Sequence, residues 1–337
     1  MKTPSNNQRF TLRQTLIVKL CLTIAILALP AYAVTNELVG SSESHSIEKF
    51  DSSGNWIKTF ASTGPWISVG IAASPITGNV FAATATSLIL RYTKTGIPLG
   101  SGGSYWNTFD LSSLVGSNPV ESLLFDPSGN LYVATIYGTN GYQVMIFKYS
   151  ASQLSKKKPA PAGSPWPIVT TTGRGDQMAW DVSGNICIAS FASPNTVQCY
   201  NPGTGALAFD YASEIQPKSI QPVGLAFGPN NNLIANSVFP GEIWVEATAR
   251  AGPMNELASG MVGDVGWLTV DSAGTLYMPS FHNAEARYGN CTAPFYACMD
   301  YDFSSDVVYK IDPSSGAVTN FISTHLWGPY QMIFVPF

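Results

Sequence analysis

Three features of the sequence predict an all-β protein assembled from repeated four-stranded antiparallel units. Short apolar runs alternate with turn residues along the chain, and Gly and Pro supply 30 and 23 of its 337 residues. Only 11% of the residues are charged, which is too few for helices with salt-bridged faces. The third feature is an internal repeat of about 50 residues, in which an apolar run, a tight turn and a second apolar run recur.

The repeat is centred on a turn of the form Asp-x-x-Gly-Asn. Its clearest copy runs from Leu123 to Ala134, with the turn at Asp126 to Asn130. An Asp side chain accepts a hydrogen bond from the backbone two residues on, and Gly supplies the positive φ of a tight hairpin. Five copies have their turn positions at residues 74, 126, 181, 228 and 271. Repeats of about 40 to 50 residues with about four strands each are typical of a β-propeller.

The two ends of the chain complement each other. Residues 34–62 contain two outer strands without an inner strand, whereas residues 329–337 resemble an inner strand with nothing after it. We predict that the C-terminal strand completes the N-terminal blade and closes the ring, so that no free edge remains. Five whole blades and this composite blade give a six-bladed propeller; five or seven blades are the alternatives.

The first 33 residues have the pattern of a secretory signal. Four basic residues and no acid precede an apolar run over residues 20–29, and Ala31-Tyr32-Ala33 follows as a cleavage site. An uncleaved anchor is the alternative, but a span needs about 20 apolar residues, and no later stretch is apolar enough. We therefore expect a secreted or periplasmic protein whose mature chain, residues 34–337, is a single domain.

Signal removal changes the charge and the cysteine count. The mature chain keeps 13 Lys and Arg against 21 Asp and Glu, a net charge of −8 that argues against nucleic-acid binding. It also keeps four cysteines, and an even number in an exported chain suggests two disulfides. We predict Cys187–Cys199 across a hairpin and Cys291–Cys298 within a loop. Buried thiols at residues 187 and 199 are the alternative.

The repeats resemble those of known propellers. The segments Pro222–Phe227 and Asp126–Val133 are similar to NHL repeats and to the related SMP-30/gluconolactonase and streptogramin-lyase propellers, over most of residues 65–337. In the lactonases, metal-binding Asn and Asp lie where the inner strands begin. Asp176 resembles that aspartate, but Val223 stands in place of the Asn and cannot bind a metal. The resemblance therefore implies the fold more specifically than the function.

The inner strands of a propeller begin beside the central channel, on the side that we call the mouth face. The residues expected there, each five before a turn position, are Val69, Glu121, Asp176, Val223 and Gly266, with Tyr330 in the composite blade. The Glu121 and Asp176 carboxylates are our candidates for binding Ca²⁺ or another divalent metal, or for acid–base catalysis. Two solvated charges are the alternative. Gln177 and Gln331 lie one residue further in and would add ligands or bind water.

The three histidines are expected on the same face. His45, His282 and His325 fall in loops of two neighbouring blades, where a cluster would bind Zn²⁺ or supply a general base. Of these, His282 and His325 join the two carboxylates as candidate catalytic residues. The spacing of the three is not that of a metal motif, so three unrelated loop histidines are the alternative.

A long insertion and several aromatic residues complete the predicted mouth. Residues 282–306 separate two strands of the last blade and contain the Cys291 and Cys298 pair, which suggests a lid or recognition loop; a decorative insertion is the alternative. Tyr330 and the tryptophans at residues 66, 166, 267 and 327 lie near the starts of inner strands. Trp267, Trp327 and Tyr330 are candidates for an aromatic binding rim; packing between blades is the alternative.

These observations predict a monomeric binding or interaction scaffold that uses the mouth face and the 282–306 loop. Its partner would be a protein, a peptide or a glycan. The second hypothesis is a metal-dependent hydrolase or lyase centred on Glu121 and Asp176, and the third is a structural envelope protein. The sequence leaves the presence of a cofactor and of catalysis open.

Overall fold

The chain was analysed as a computed structural model. Its contacts divide the chain into two units, Met1–Thr35 and Asn36–Phe337, and every residue described below belongs to the second. The described residues are 37–41, 45–66, 68–100, 108–137, 143–154, 166–167, 175–190, 195–237, 241–261, 264–271, 273–281, 306–326, 328–329 and 331–335. The predicted signal of residues 1–33 lies outside them. Among these residues, no helix has the length and apolar character needed to cross a membrane.

The described residues form an all-β propeller with antiparallel, four-stranded blades. We number its sheets I to VI along the chain and give the strands of each from the channel outward. Sheet I contains β25 (Met332–Val335), β1 (Glu37–Ser41), β2 (Ser46–Phe50) and β3 (Trp56–Ser62). Sheet II contains β4 (Ser68–Ala73), β5 (Val80–Thr84), β6 (Leu88–Tyr92) and β7 (Thr108–Asp110). Sheet III contains β8 (Val120–Phe125), β9 (Leu131–Tyr137), β10 (Gln143–Tyr149) and β11 (Trp166–Pro167).

The remaining sheets follow the same plan with one irregularity. Sheet IV contains β12 (Gly175–Trp180), β13 (Ile186–Ser190), β14 (Thr196–Tyr200) and β15 (Leu207–Asp210). Sheet V contains β16 (Pro222–Phe227), β17 (Leu233–Ser237), β18 (Glu242–Glu246) and β19 (Met254–Ala258). Sheet VI contains β20 (Asp264–Val265), β21 (Thr269–Val270), β22 (Leu276–Phe281), β23 (Val307–Ile311) and β24 (Val318–Ile322). It has five strands because β20 and β21 both pair with β22.

In the part of the chain that the structure describes, four short helical segments lie between strands. They are Ser112–Val115, Ala151–Gln153, Ala212–Ile215 and Gln216–Lys218.

The predicted closure of the ring by the C-terminal strand is confirmed. Strand β25 pairs antiparallel with β1, with Val39 opposite Ile333 and Gly40 opposite Met332. The first sheet therefore takes its inner strand from the end of the chain. The sequence analysis did not identify β1 itself, which precedes the two outer strands that it recognised.

The core is divided among the interfaces between neighbouring sheets. Six clusters of buried apolar side chains are found in the described residues, one between each pair of adjacent sheets, including sheets VI and I. In the last of these, Tyr277 of β22 contacts Phe321 and Phe334 edge-on. Each sheet is thus buried on both faces, and a ring is the arrangement that gives every sheet two neighbours.

The predicted turn motif is present with its glycine at positive φ, but the Asp126 and Asp181 side chains bind the Asn four residues on rather than the backbone two residues on. At the turn of sheet III, Asp126 Oδ1 accepts a hydrogen bond from the Asn130 backbone N–H at 2.8 Å, and its Oδ2 accepts one from the Asn130 side chain at 2.7 Å. Gly129 has a φ of 79°. Asp181 and Asn185 repeat both bonds in sheet IV. In both turns the motif closes the inner hairpin through hydrogen bonds between residues four positions apart.

The disulfide predicted between Cys187 and Cys199 is confirmed. The two residues lie opposite each other on β13 and β14, with their Cα atoms 3.9 Å apart, and both are fully buried. The bond joins the two central strands of one sheet, so it stabilises sheet IV internally. The second predicted disulfide, Cys291–Cys298, falls outside the described residues.

Neighbouring sheets also meet at the turn between the two outer strands. Gly96, in the β6–β7 connection of sheet II, has a φ of 88°, and a Cβ placed on it would overlap the carbonyl oxygen of Phe60 in sheet I. Gly54 and Gly316 occupy equivalent turns against the outer strands of the preceding sheets. The absence of a side chain at this turn therefore allows the two backbones to touch.

This contact predicts that Gly96→Ala destabilises the protein more than the same change at a matched glycine. Gly184 has a similar φ of 80° but no atom within 4 Å of the added methyl group. Gly184→Ala should cost only the positive-φ penalty of about 1 to 2 kcal/mol, and Gly96→Ala should cost this plus the separation of sheets I and II. Urea unfolding of both variants measures the difference, and equal losses would contradict the proposed backbone contact.

Candidate functional site

The inner strands are irregular where they begin. The pairing with the second strand shifts register between Ser68 and Gly70 in sheet II and between Val120 and Ser122 in sheet III. Equivalent shifts occur between residues 175 and 178 and between residues 222 and 225. In sheet VI the inner strand is interrupted between β20 and β21. These irregularities contain the predicted mouth residues 69, 121, 176, 223 and 266. A bulge changes the direction of the side chains at its position. The side chains of these residues are therefore oriented differently from those in the regular part of each inner strand.

Glu121 and Asp176 are the second residues of the inner strands β8 and β12, in two adjacent sheets. The Glu121 side chain is only 3% exposed, so it is not a solvated charge. The Asp176 side chain lies outside the described residues, and the pairing of the two carboxylates stays a prediction. Val223, in the next sheet, is buried and apolar. The other described mouth positions, Val69, Val223 and Gly266, therefore add no side-chain oxygen ligand for a metal.

The next position of each inner strand forms a layer across the channel, which we call the plug layer. Its members are Gly70, Ser122, Gln177, Gly224, Trp267 and Gln331. The four with side chains are nearly fully buried. The layer is therefore part of the interior and separates the mouth from the rest of the channel.

Gln177 is the central residue of the plug layer. Its Oε1 accepts hydrogen bonds from the backbone N–H groups of Leu225 at 3.0 Å and Leu268 at 2.9 Å. Its Nε2 donates to the carbonyl oxygen of Leu268 at 2.6 Å. One side chain of sheet IV thus bonds to the channel-facing backbone of Leu225 in sheet V and of Leu268 in sheet VI. The amide already has protein partners on both atoms, which makes it a structural residue as well as a candidate ligand.

Other members of the layer make the same kind of bond. Gln331 Oε1 accepts from the Ile71 N–H at 2.7 Å, and Ser122 Oγ accepts from the Met178 N–H at 3.0 Å. In both cases a plug-layer side chain of one sheet caps the inner strand of the following sheet. This capping satisfies donors that would otherwise be buried without a partner.

Trp267 is a buried part of this layer. The predicted exposed rim does not include it, because its side chain is only 5% exposed. A Cβ placed on Gly70 would lie 2.7 Å from the Trp267 ring, so the indole fills the space that the glycine leaves. Trp327 and Tyr330 lie outside the described residues.

The two described histidines are not brought together. His45 lies at the Ser62 end of β3, where its carbonyl oxygen accepts a hydrogen bond from the Thr63 N–H at 2.8 Å. The His325 ring stacks on Trp56, the first residue of β3, with ring centroids 4.2 Å apart. Strand β3 is the outermost strand of sheet I, so His325 lies at the outer rim rather than at the channel. His282 is outside the described part of the chain.

The described residues include one group with the composition of a metal site. Ligand atoms of Asp181, Cys187 and Cys199 lie within 4.8 Å of one another. However, the cysteines form the disulfide, and Asp181 accepts a hydrogen bond from Arg250 of sheet V at 2.5 Å. The three side chains are therefore committed to a covalent bond and to a contact between sheets IV and V.

A cavity of about 590 Å³ occupies the channel on the other side of the plug layer. Gln177 and Gln331 form its deep end, and Ser74, Pro75, Asp126 and Pro127 of the inner-hairpin turns lie at its opening. We call this side of the ring the turn face. The sequence analysis proposed no site on this face. The feature of the sequence that could have indicated the cavity is the alanine two positions before three of the turns, at Ala72, Ala179 and Ala226.

The lining of the cavity is mainly apolar. Asp126 is the only ionisable residue among the described residues that line it, and both of its oxygens accept hydrogen bonds from Asn130. The Trp180 indole donates to the Phe125 carbonyl oxygen at 2.8 Å. The lining of this end of the channel is thus suited to binding a ligand rather than to acid–base catalysis.

No family model matches the chain, and no curated protein matches it. Solved structures do match in fold. A Bacteroides caccae protein of unknown function is 14% identical with a TM-score of 0.62, covering 89% of this chain and 99% of that one. A chain of a nidogen/laminin complex is 13% identical with a TM-score of 0.59, covering 89% and 98%.

Antibiotic lyases are also similar. A streptogramin B lyase is 12% identical with a TM-score of 0.53, covering 91% of this chain and 92% of that one. A virginiamycin B lyase from Staphylococcus aureus, in an inactive form with quinupristin, is 11% identical with a TM-score of 0.54, covering 88% and 87%. At identities this low, the structural matches establish the propeller fold alone. The resemblance to propellers noted in the sequence is supported at the level of fold.

The bonds of Gln177 predict that Gln177→Ala strongly destabilises the ring. The change leaves two N–H donors and one carbonyl of sheets V and VI without their partner, at about 1 to 3 kcal/mol for each group. Gln216→Ala is the matched control, because Gln216 is exposed. Chemical unfolding should show a loss of several kcal/mol for the first variant and almost none for the second. A small loss at Gln177 would mean that water replaces its amide.

Proposed function

We propose that this protein is an exported binding scaffold whose partner docks on the mouth face and the 282–306 loop. The observation that carries the proposal is the plug layer. Because Gln177, Trp267 and Gln331 are buried directly below the mouth, a ligand there would lie on the surface rather than enter the channel. A shallow surface suits a protein, a peptide or a glycan better than a small substrate.

Two further observations support this proposal. A structurally similar chain occurs in a complex of nidogen with laminin, so a propeller of this general shape is compatible with protein binding. The buried disulfide Cys187–Cys199 is typical of chains that mature in an oxidising compartment, which agrees with the signal pattern. We also infer that sheet VI is a sixth blade with a divided inner strand, since its neighbours V and I pack against it like any other pair.

The 282–306 loop should carry partner binding. Asp306 must stay, because its Oδ2 accepts a hydrogen bond from the Gly328 N–H at 2.6 Å, so the test variant replaces residues 284–304 with a short Gly-Ser linker. The chain is expressed with its signal, and its mass should confirm cleavage before Val34. The purified protein is then applied to glycan arrays, and the immobilised protein is incubated with envelope extracts. A partner retained by the parent chain should be lost by the loop variant.

The matched control is Val182→Asp, which changes a side chain that is 62% exposed on the turn face. It should retain the partner. Equal binding by the parent and loop variants would contradict a docking role for the loop, and retention of no partner would contradict the scaffold itself.

A metal-dependent hydrolase or lyase is the second candidate, favoured by the likeness to streptogramin B lyase and by the burial of Glu121. Under this proposal, Glu121 and Asp176 would hold the ion through carboxylate oxygens, and the ion would polarise the scissile group. Metal analysis of the purified mature chain should then find a near-stoichiometric divalent ion that Glu121→Ala/Asp176→Ala loses. A metal-free protein whose melting ignores EDTA would leave this candidate without support.

A further inference from the structure

We infer that the turn-face cavity is a binding site for an uncharged small molecule with an apolar body and polar groups that hydrogen-bond to the backbone of the inner strands. The cavity of about 590 Å³ is within the range of about 300 to 1,000 Å³ that is usual for ligand pockets. It lies on the opposite side of the plug layer from the proposed partner surface. This inference is therefore independent of the proposed function.

The backbone of the inner strands supplies hydrogen-bonding groups to the cavity, because the N–H and C=O of one strand residue point to the same side. Ser74 N–H bonds to the carbonyl oxygen of Asn79, just before β5, at 2.8 Å. Because N–H groups of a strand alternate in direction, the preceding Ala73 N–H is directed away from that strand, towards the channel. The Ile71 N–H, two residues earlier, has the same direction and bonds to Gln331 across the channel.

The same alternation applies to the other inner strands. Turn residues 126, 181, 228 and 271 each donate their N–H to the residue just before the second strand, so the backbone groups of the residues before them face the channel. The channel-facing residues of this level are Ala73, Phe125, Trp180, Phe227 and Val270, and all of them line the cavity. The site thus combines a ring of backbone N–H and C=O groups with apolar side chains, and a carbonyl or ether oxygen of a ligand would accept a hydrogen bond from the N–H groups of this ring.

The near absence of charged groups in the described lining argues against ionic ligands. Its described lining contains no basic residue, and its single carboxylate, Asp126, already accepts two hydrogen bonds from Asn130. A charged ligand would lose its hydration without gaining a counter-ion, which is costly in a mainly apolar cavity. The ligand class that remains is neutral and amphipathic.

Nile red is a suitable probe because it is uncharged, largely apolar and carries a carbonyl oxygen. The mature protein should bind it saturably with a stoichiometry near one, measured by fluorescence titration. Ala73→Phe and Ala179→Phe each fill the cavity from a different strand and should weaken binding at least tenfold. Ala273→Phe is the matched control, since Ala273 is exposed in a turn, and it should bind like the parent. A carboxylated Nile red analogue should bind the parent at least tenfold more weakly.

A second measurement needs no substitution. Hydrogen exchange of the parent chain should slow at the amides of Ala73, Phe125, Trp180 and Phe227 when Nile red is bound. The inference would be overturned by the absence of saturable binding or by inner-strand amides that stay unprotected. It would also be overturned if Ala73→Phe and Ala179→Phe both fold and both keep the affinity of the parent. Equal affinity for the carboxylated analogue would overturn its restriction to neutral ligands.

Discussion

The structure depends on satisfying the inner edges of its sheets. A ring of radial sheets exposes one edge of every inner strand to a narrow channel, where an N–H group without a partner is costly. The plug layer supplies partners from one sheet to the next: Gln331 caps Ile71, Ser122 caps Met178, and Gln177 caps Leu225. Where Gly224 has no side chain to cap the following sheet, Gln177 reaches past it to Leu268.

The same layer balances volume around the channel. Trp267 occupies the space opened by Gly70, and a Cβ on Gly224 would lie 2.8 Å from the Leu268 nitrogen. Large side chains from some sheets and glycines from others therefore fill one cross-section. As a result, the channel is divided into two compartments with different chemistry. Glu121 lies on one side of the plug layer, and an apolar cavity opens on the other.

The periphery joins the sheets by different means. Apolar clusters fill each interface, Arg250 of sheet V reaches Asp181 of sheet IV, and glycine turns touch the preceding outer strand. Among the described residues, the apolar clusters recur at all six interfaces and the glycine contact at three, whereas the Arg250–Asp181 pair and the plug-layer hydrogen bonds join particular sheets.

The sequence by itself determined the local units: the Asp126 turn and its copies, the hairpin that pairs Cys187 with Cys199, and the closing strand at the end of the chain. Each follows from residues within one hairpin or from an incomplete repeat. The tertiary structure decided what the channel residues do. Gln177 and Leu268 are 91 positions apart, and Gln331 and Ile71 are 260 apart, so no local pattern records these bonds. The period of a strand specifies which residues alternate, but only the closed ring decides which of them meet across the channel and which face keeps a cavity.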